Sequence, residues 1–88
     1  NPQAPVHVLV IPKADYLSLD DFTSQADPET IACFFAAVGR IARELGLVEA
    51  GYRVLTNCGA YGGQEVPHFH VHIFGGRPLG RMIARESA

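Results

Sequence analysis

His68-Phe69-His70-Val71-His72-Ile73-Phe74-Gly75-Gly76-Arg77 is the stretch on which the fold turns. Three histidines alternate with Phe69, Val71 and Ile73. A period of two sends alternate side chains of a β-strand to opposite faces. The pattern predicts a strand over residues 66–74, with Phe69, Val71 and Ile73 facing a core and His68, His70 and His72 lining the other side. A merely solvated face would mix in Thr, Lys, Glu or Ser. Here three of the chain's four histidines fall within five positions. Imidazole is the side chain whose proton moves near neutral pH, so this face is predicted to do chemistry.

Working outward, residues 6–11 are apolar and mostly β-branched, between Pro5 and Pro12. They read as a short strand bounded by two breakers. Its alternation sets His7, Leu9 and Ile11 on one face and Val6, Val8 and Val10 on the other. His7 joins the histidine site if this strand pairs beside the first. Residues 13–26 are polar and irregular, with one turn of helix expected near 18–22. Asp27-Pro28-Glu29 then supplies an N-cap, a proline at the first helical position and an early acid. Ile31, Phe34, Phe35, Val38, Ile41, Ala42 and Leu45 follow in steps of three and four, which predicts an amphipathic helix stopped by Gly46. Residues 52–57 read as another strand. Residues 58–63, with Gly59, Gly62 and Gly63, form the loop that leads into the histidines.

These elements predict a single α+β domain over residues 1–88, in which one long helix covers an antiparallel sheet. At 48% apolar residues the chain is too hydrophobic for disorder, and its formal charge of −2 argues against non-specific nucleic-acid binding. No apolar run approaches the roughly 20 residues that span a bilayer. Cys33 and Cys58 give neither a disulfide framework nor a zinc spacing, so a reducing, cytoplasmic setting is expected. Cys33 is expected to pack as a small hydrophobe. One helix over three strands makes a thin core, which points to a missing piece, an oligomer, or both.

Two chemistries compete for the histidines. Three imidazoles on one flat strand cannot all reach one zinc ion at about 2.0–2.1 Å. No cofactor is therefore required, and weak zinc binding by adjacent imidazoles would be incidental. Nucleophilic catalysis at phosphorus fits better. A neutral imidazole attacks well and leaves well once a proton returns. His70, in the middle, would attack, while the loop from Gly59 to Gly63 offers backbone N–H groups to the phosphoryl oxygens. Asn57 and Gln64 flank that loop, as phosphate contacts or as turn residues.

Residues 62–77 resemble the histidine-triad signature, His-x-His-x-His between apolar residues, and residues 1–13 resemble the Pro-x-x-Pro-x-His-x-x-x-x-Pro-Lys strand of the same family. The Gly75-Gly76-Arg77 ending resembles its nucleoside phosphoramidate hydrolase branch, and Pro78-Leu79-Gly80 looks bacterial. The resemblance implies an α+β fold with about five strands per subunit, paired into a homodimer. It implies cleavage of purine nucleoside 5′-phosphoramidates through a nucleotidyl-histidine that water releases as the monophosphate. Carried over by position, His70 matches the nucleophile and His72 the residue at the phosphate and leaving group. His68 and His7 match the residues that orient the nucleophile, and Asn57, Gly63 and Gln64 the phosphate-side contacts. Glu65 stands near the leaving group, where eukaryotic members often carry Ser and bacterial-looking ones often an acid. A helix and two strands, with an acid that holds the ribose, precede this point in the family, so an N-terminally incomplete domain is expected. The tail from Pro78, with Arg81 and Arg85, is expected near a partner's site. Diadenosine polyphosphate hydrolysis, or a nucleotide-binding or regulatory module with little catalysis, are the alternatives.

Overall fold

Five elements follow one another in the computed structural model, which describes residues 4–83: β1 (Val6–Val10), α1 (Leu19–Gln25), α2 (Pro28–Glu44), β2 (Arg53–Leu55) and β3 (Val71–Gly75). Pro2 and Gln3 of the N-terminal motif, and the tail from residue 84, lie outside the described residues. The sheet has the order β1-β3-β2 and both pairings are antiparallel. The histidine strand is thus the central one. His7 lies opposite Phe74 and Leu9 opposite His72, while Arg53 and Leu55 of β2 face the same two positions from the other side. One face of the sheet therefore carries His7, Leu9, His72, Phe74, Arg53 and Leu55.

The opposite face is the core side. Phe69, Val71 and Ile73 are fully or nearly buried, and Val6, Val8 and Val10 pack against the same cluster. Phe34, Val38 and Ala42 are the buried positions of α2. Asp27 caps that helix by accepting from the Thr30 N–H at 2.7 Å, and the Thr30 side chain first, then this N–H, hold its carboxyl below the usual range. At the other end the Leu47 N–H reaches Ala42 O and the Gly46 N–H reaches Arg43 O, the paired bonds of a Schellman stop, with Gly46 at φ 73°.

Four expectations change. The irregular stretch holds a seven-residue helix, α1, and so the sheet is covered by two helices rather than one. Its Phe22 is fully buried against Tyr16, Phe34 and Phe69, with ring centroids 4.9–5.2 Å apart. Phe35 and Leu45 were expected in the buried stripe of α2 but are 40% and 42% exposed, Phe35 lying one position off the buried row of Phe34, Val38 and Ala42 and Leu45 at the C-cap. Cys33 is exposed rather than packed, since it sits one position off the buried face. The two later strands are shorter than their patterns, because pairing ends where the chain bends, and β3 begins only at Val71.

Candidate active site

The late start of β3 decides how the histidines are held. His68 sits in a bend ahead of the strand, and its carbonyl faces the His70 ring, with Nδ1 2.8 Å from His68 O. A carbonyl can only accept, so His70 Nδ1 carries the proton. In the neutral ring, Nε2 is then the basic nitrogen. His70 O in turn accepts from Thr56 Oγ1 at 2.6 Å, which ties this residue to the end of β2. The His68 ring departs from the expected row. Its Nδ1 lies 3.5 Å from Asp15 Oδ1, and its buried Nε2 has no hydrogen-bond partner. His68 thus acts on His70 through its backbone, which residue type alone does not reveal.

His7 and His72 form the second pair. His7 Nε2 and His72 Nδ1 are 2.9 Å apart, and Phe74 stacks on both rings at 4.3 and 5.5 Å. The bond fixes the His72 ring and leaves its Nε2 for a ligand. The His72 pKa is pushed below the ordinary histidine value, first by burial, then by the nearby His70 and His7. The ring is accordingly neutral over a wider pH range than a free histidine. The His70 and His72 centroids are 4.9 Å apart. Both rings line a cleft of about 150 Å³ with Asn57, Gly63, Gln64, Glu65 and Val66.

The glycine loop is used differently from the expectation. The Gly63 and Gln64 N–H groups bond within the loop to Ala60 O and Gly59 O, and the Gly59 N–H bonds to Gln64 Oε1. Asn57 Nδ2 donates to Gly62 O at 2.7 Å, and Gln64 Nε2 donates to Leu17 O and Val66 O. Both amides therefore brace the loop. Glu65 and Val66 also line the cleft, and Val66 is a residue that sequence reading did not single out. The segment 15–17 was missed as well. Tyr16 O accepts from the Phe69 N–H at 2.7 Å, so this loop clamps the approach to the triad. Among the described residues no group of three or more His, Cys, Asp and Glu is placed to hold a metal ion.

Gly62 is the tightest point of the loop. A Cβ there would lie 2.3 Å from Cys58 O and 2.9 Å from Cys58 N, both backbone atoms. We expect Gly62→Ala to move the loop and cost on the order of 10²-fold in kcat/KM, the penalty of misplacing a site by about 1 Å. Stability should fall by only about 1–2 kcal/mol. Steady-state kinetics beside thermal unfolding separates the two effects.

A paired-histidine cleft on the open face of an antiparallel sheet, with the His70 ring fixed through Nδ1 by a backbone carbonyl, defines a histidine-triad domain. The HIT domain family model matches residues 1–79, and the chain belongs to that family. It is 55% identical over 85 residues to an uncharacterised 13.2 kDa HIT-like protein of Azospirillum brasilense, covering 97% of this chain and 70% of that one. It is 38% identical over 86 residues to the purine nucleoside phosphoramidase of Escherichia coli K12, covering 98% and 71%. Among solved structures, a histidine triad protein from Clostridium difficile superposes with a TM-score of 0.82 at 41% identity, over 94% of this chain and 71% of that one. A HIT family hydrolase from Clostridium thermocellum gives 0.81 at 39%, over 96% and 72%. No helix among the described residues is long and apolar enough to cross a membrane.

Proposed function

We propose that this chain is a nucleotide hydrolase that cleaves purine nucleoside 5′-phosphoramidates through a covalent intermediate on His70. The observation that carries the reading is the 2.8 Å bond from His70 Nδ1 to His68 O, which leaves Nε2 as the attacking nitrogen. Attack forms the Nε2–phosphorus bond and breaks the phosphorus–nitrogen bond, and the leaving amine takes up a proton. Water then attacks the same phosphorus, frees His70 and yields the nucleoside monophosphate. Glu65 and Val66, which line the cleft, would offer backbone N–H groups to the phosphoryl oxygens, and His72, braced by His7, would meet the phosphate or the leaving amine. The similarity to a purine nucleoside phosphoramidase and to a HIT family hydrolase supports this reading. Incubation with adenosine 5′-phosphoramidate should release adenosine monophosphate, and acid-quenched intact mass should show one nucleotidyl group per chain. Tight binding of the monophosphate without turnover would assign a nucleotide-binding module instead.

The proposed enzyme is a homodimer. β2 is an edge strand, Val54 in it and Tyr52 and Val48 just before it are 39–54% exposed, and Phe35 of α2 is 40% exposed. A two-fold contact through this edge pairs the strand and covers those side chains. Sedimentation at micromolar concentration should give twice the chain mass, and a clean monomer would refute the assembly.

A further inference from the structure

The histidine face extends beyond the histidines. Leu55 lies opposite His72, and Arg53 lies one same-face step further along β2, opposite Phe74. Residues 79–82 pass beside this corner and close a second cleft of about 200 Å³, lined by Arg53, Leu55, Phe74, Leu79, Arg81 and Met82. The Gly80 carbonyl accepts a hydrogen bond from Arg53 Nη2 and so fixes one guanidinium, whose remaining N–H donors stay available. Arg77 lines an adjoining cleft together with Arg53. Among the described residues no carboxylate pairs with Arg53, Arg77 or Arg81. Three guanidiniums that meet no carboxylate among the described residues, at one corner of a chain whose formal charge is −2, make a local field opposite in sign to the whole.

We propose that the Arg53–Arg81 cleft is an anion subsite that selects substrates whose leaving group carries a carboxylate or a phosphate. The proposal rests on the phosphoramidate reading of His70. The chemistry of that reaction places the second anion. The nucleoside half bears only the phosphate that reacts, so any further negative charge must belong to the leaving group. The geometry sets the reach. Asn57, at the phosphate cleft, lies two residues beyond Leu55 and four beyond Arg53 on the same chain. An anion held by Arg53 and Arg81 is thus carried roughly 13 Å along the strand from the phosphate cleft, at about 3.3 Å per strand residue. Guanidinium groups suit both candidate anions because their parallel N–H bonds match carboxylate and phosphate oxygens alike. The Phe74 and Leu55 side chains supply the apolar floor between the two clefts.

The test compares adenosine 5′-phosphoramidates of three amines of similar length, ending in a methyl, a carboxylate or a phosphate. The wild-type chain should favour the anionic ends by about fivefold in kcat/KM, the size of a solvent-reachable ion pair. Arg81→Gln should remove most of that preference and leave the methyl-ended substrate unchanged. Arg81→Lys should keep part of it, and added salt should erode it. A larger response to the phosphate end than to the carboxylate end, or the reverse, names the source of the anion. Equal losses for all three substrates, or no loss, would overturn the proposal. A second readout does not depend on turnover. With the histidine cleft saturated by adenosine monophosphate, pyrophosphate and malonate should still shift the amide signals of residues 53 and 79–82 in the wild type, and less in Arg81→Gln. Shifts confined to the histidine cleft would refute the subsite. If no phosphoramidate turns over but these shifts appear, the phosphoramidate reading fails while the anion site stands. Sedimentation of Arg81→Gln alongside the wild type ensures that any loss is not a loss of assembly.

Discussion

His70→Ala should lower turnover of adenosine 5′-phosphoramidate by on the order of 10⁴-fold or more and abolish the nucleotidyl adduct. A covalent route has no substitute for its nucleophile, and what remains is binding and orientation alone. His72 cannot replace it. Its Nδ1 is tied to His7, and its ring is held on a rigid strand 4.9 Å from that of His70. The fold should survive, because the change removes one side-chain bond to the His68 carbonyl, worth about 1 kcal/mol. His7→Ala should cost far less than His70→Ala, since it frees His72 without removing the attacking atom. Rapid-quench kinetics on protein purified free of wild-type enzyme measures both. Substantial activity in His70→Ala would end the covalent mechanism.

Phe22→Ala should be the most damaging core substitution. Phe22 is fully buried and its ring touches Tyr16, Phe34 and Phe69. Removing a buried Phe costs about 3–5 kcal/mol. A chain of 88 residues holds roughly 4–13 kcal/mol in total at 0.05–0.15 kcal/mol per residue. The midpoint of thermal unfolding should therefore fall by more than about 12 °C, followed by circular dichroism. Activity should fall below the unfolding range as well, because Phe69 separates His68 from His70 and loses its stacking partner. Phe22→Leu should restore most of both. A shift of under about 3 °C for Phe22→Ala would show that α1 does not hold the triad segment in place.

Much of this site was legible because the signals are local. Alternation in 69–73 assigned each residue to a face, and the burial of Phe69, Val71 and Ile73 follows it. The same alternation put Val6, Val8 and Val10 against the core and left His7 on the histidine side. The cap at Asp27 and the stop at Gly46 bracket a helix that ends within one residue of the expected limits. The face of the histidine strand, the long helix and the resemblance to one family were all set by patterns of two and of three to four residues along the chain.

The tertiary structure decided what depends on contacts far apart in sequence. Nothing local marks Phe22 as core, because α1 is short and its burial comes from Tyr16, Phe34 and Phe69 folding onto it. The His7–His72 bond spans 65 positions and exists only because β1 and β3 pair in one register. His68 turned its carbonyl, not its ring, toward His70 because the chain bends before Val71, and the clamp at Tyr16 O holds that bend. Asn57 and Gln64 spend side-chain bonds on bracing the loop, Asn57 on Gly62 O and Gln64 on the Gly59 N–H, which their residue types alone do not reveal. Periodicity tells which face a residue occupies; only the packed chain tells which atom of it meets which neighbour, because hydrogen-bond geometry is fixed by distances that sequence spacing does not contain.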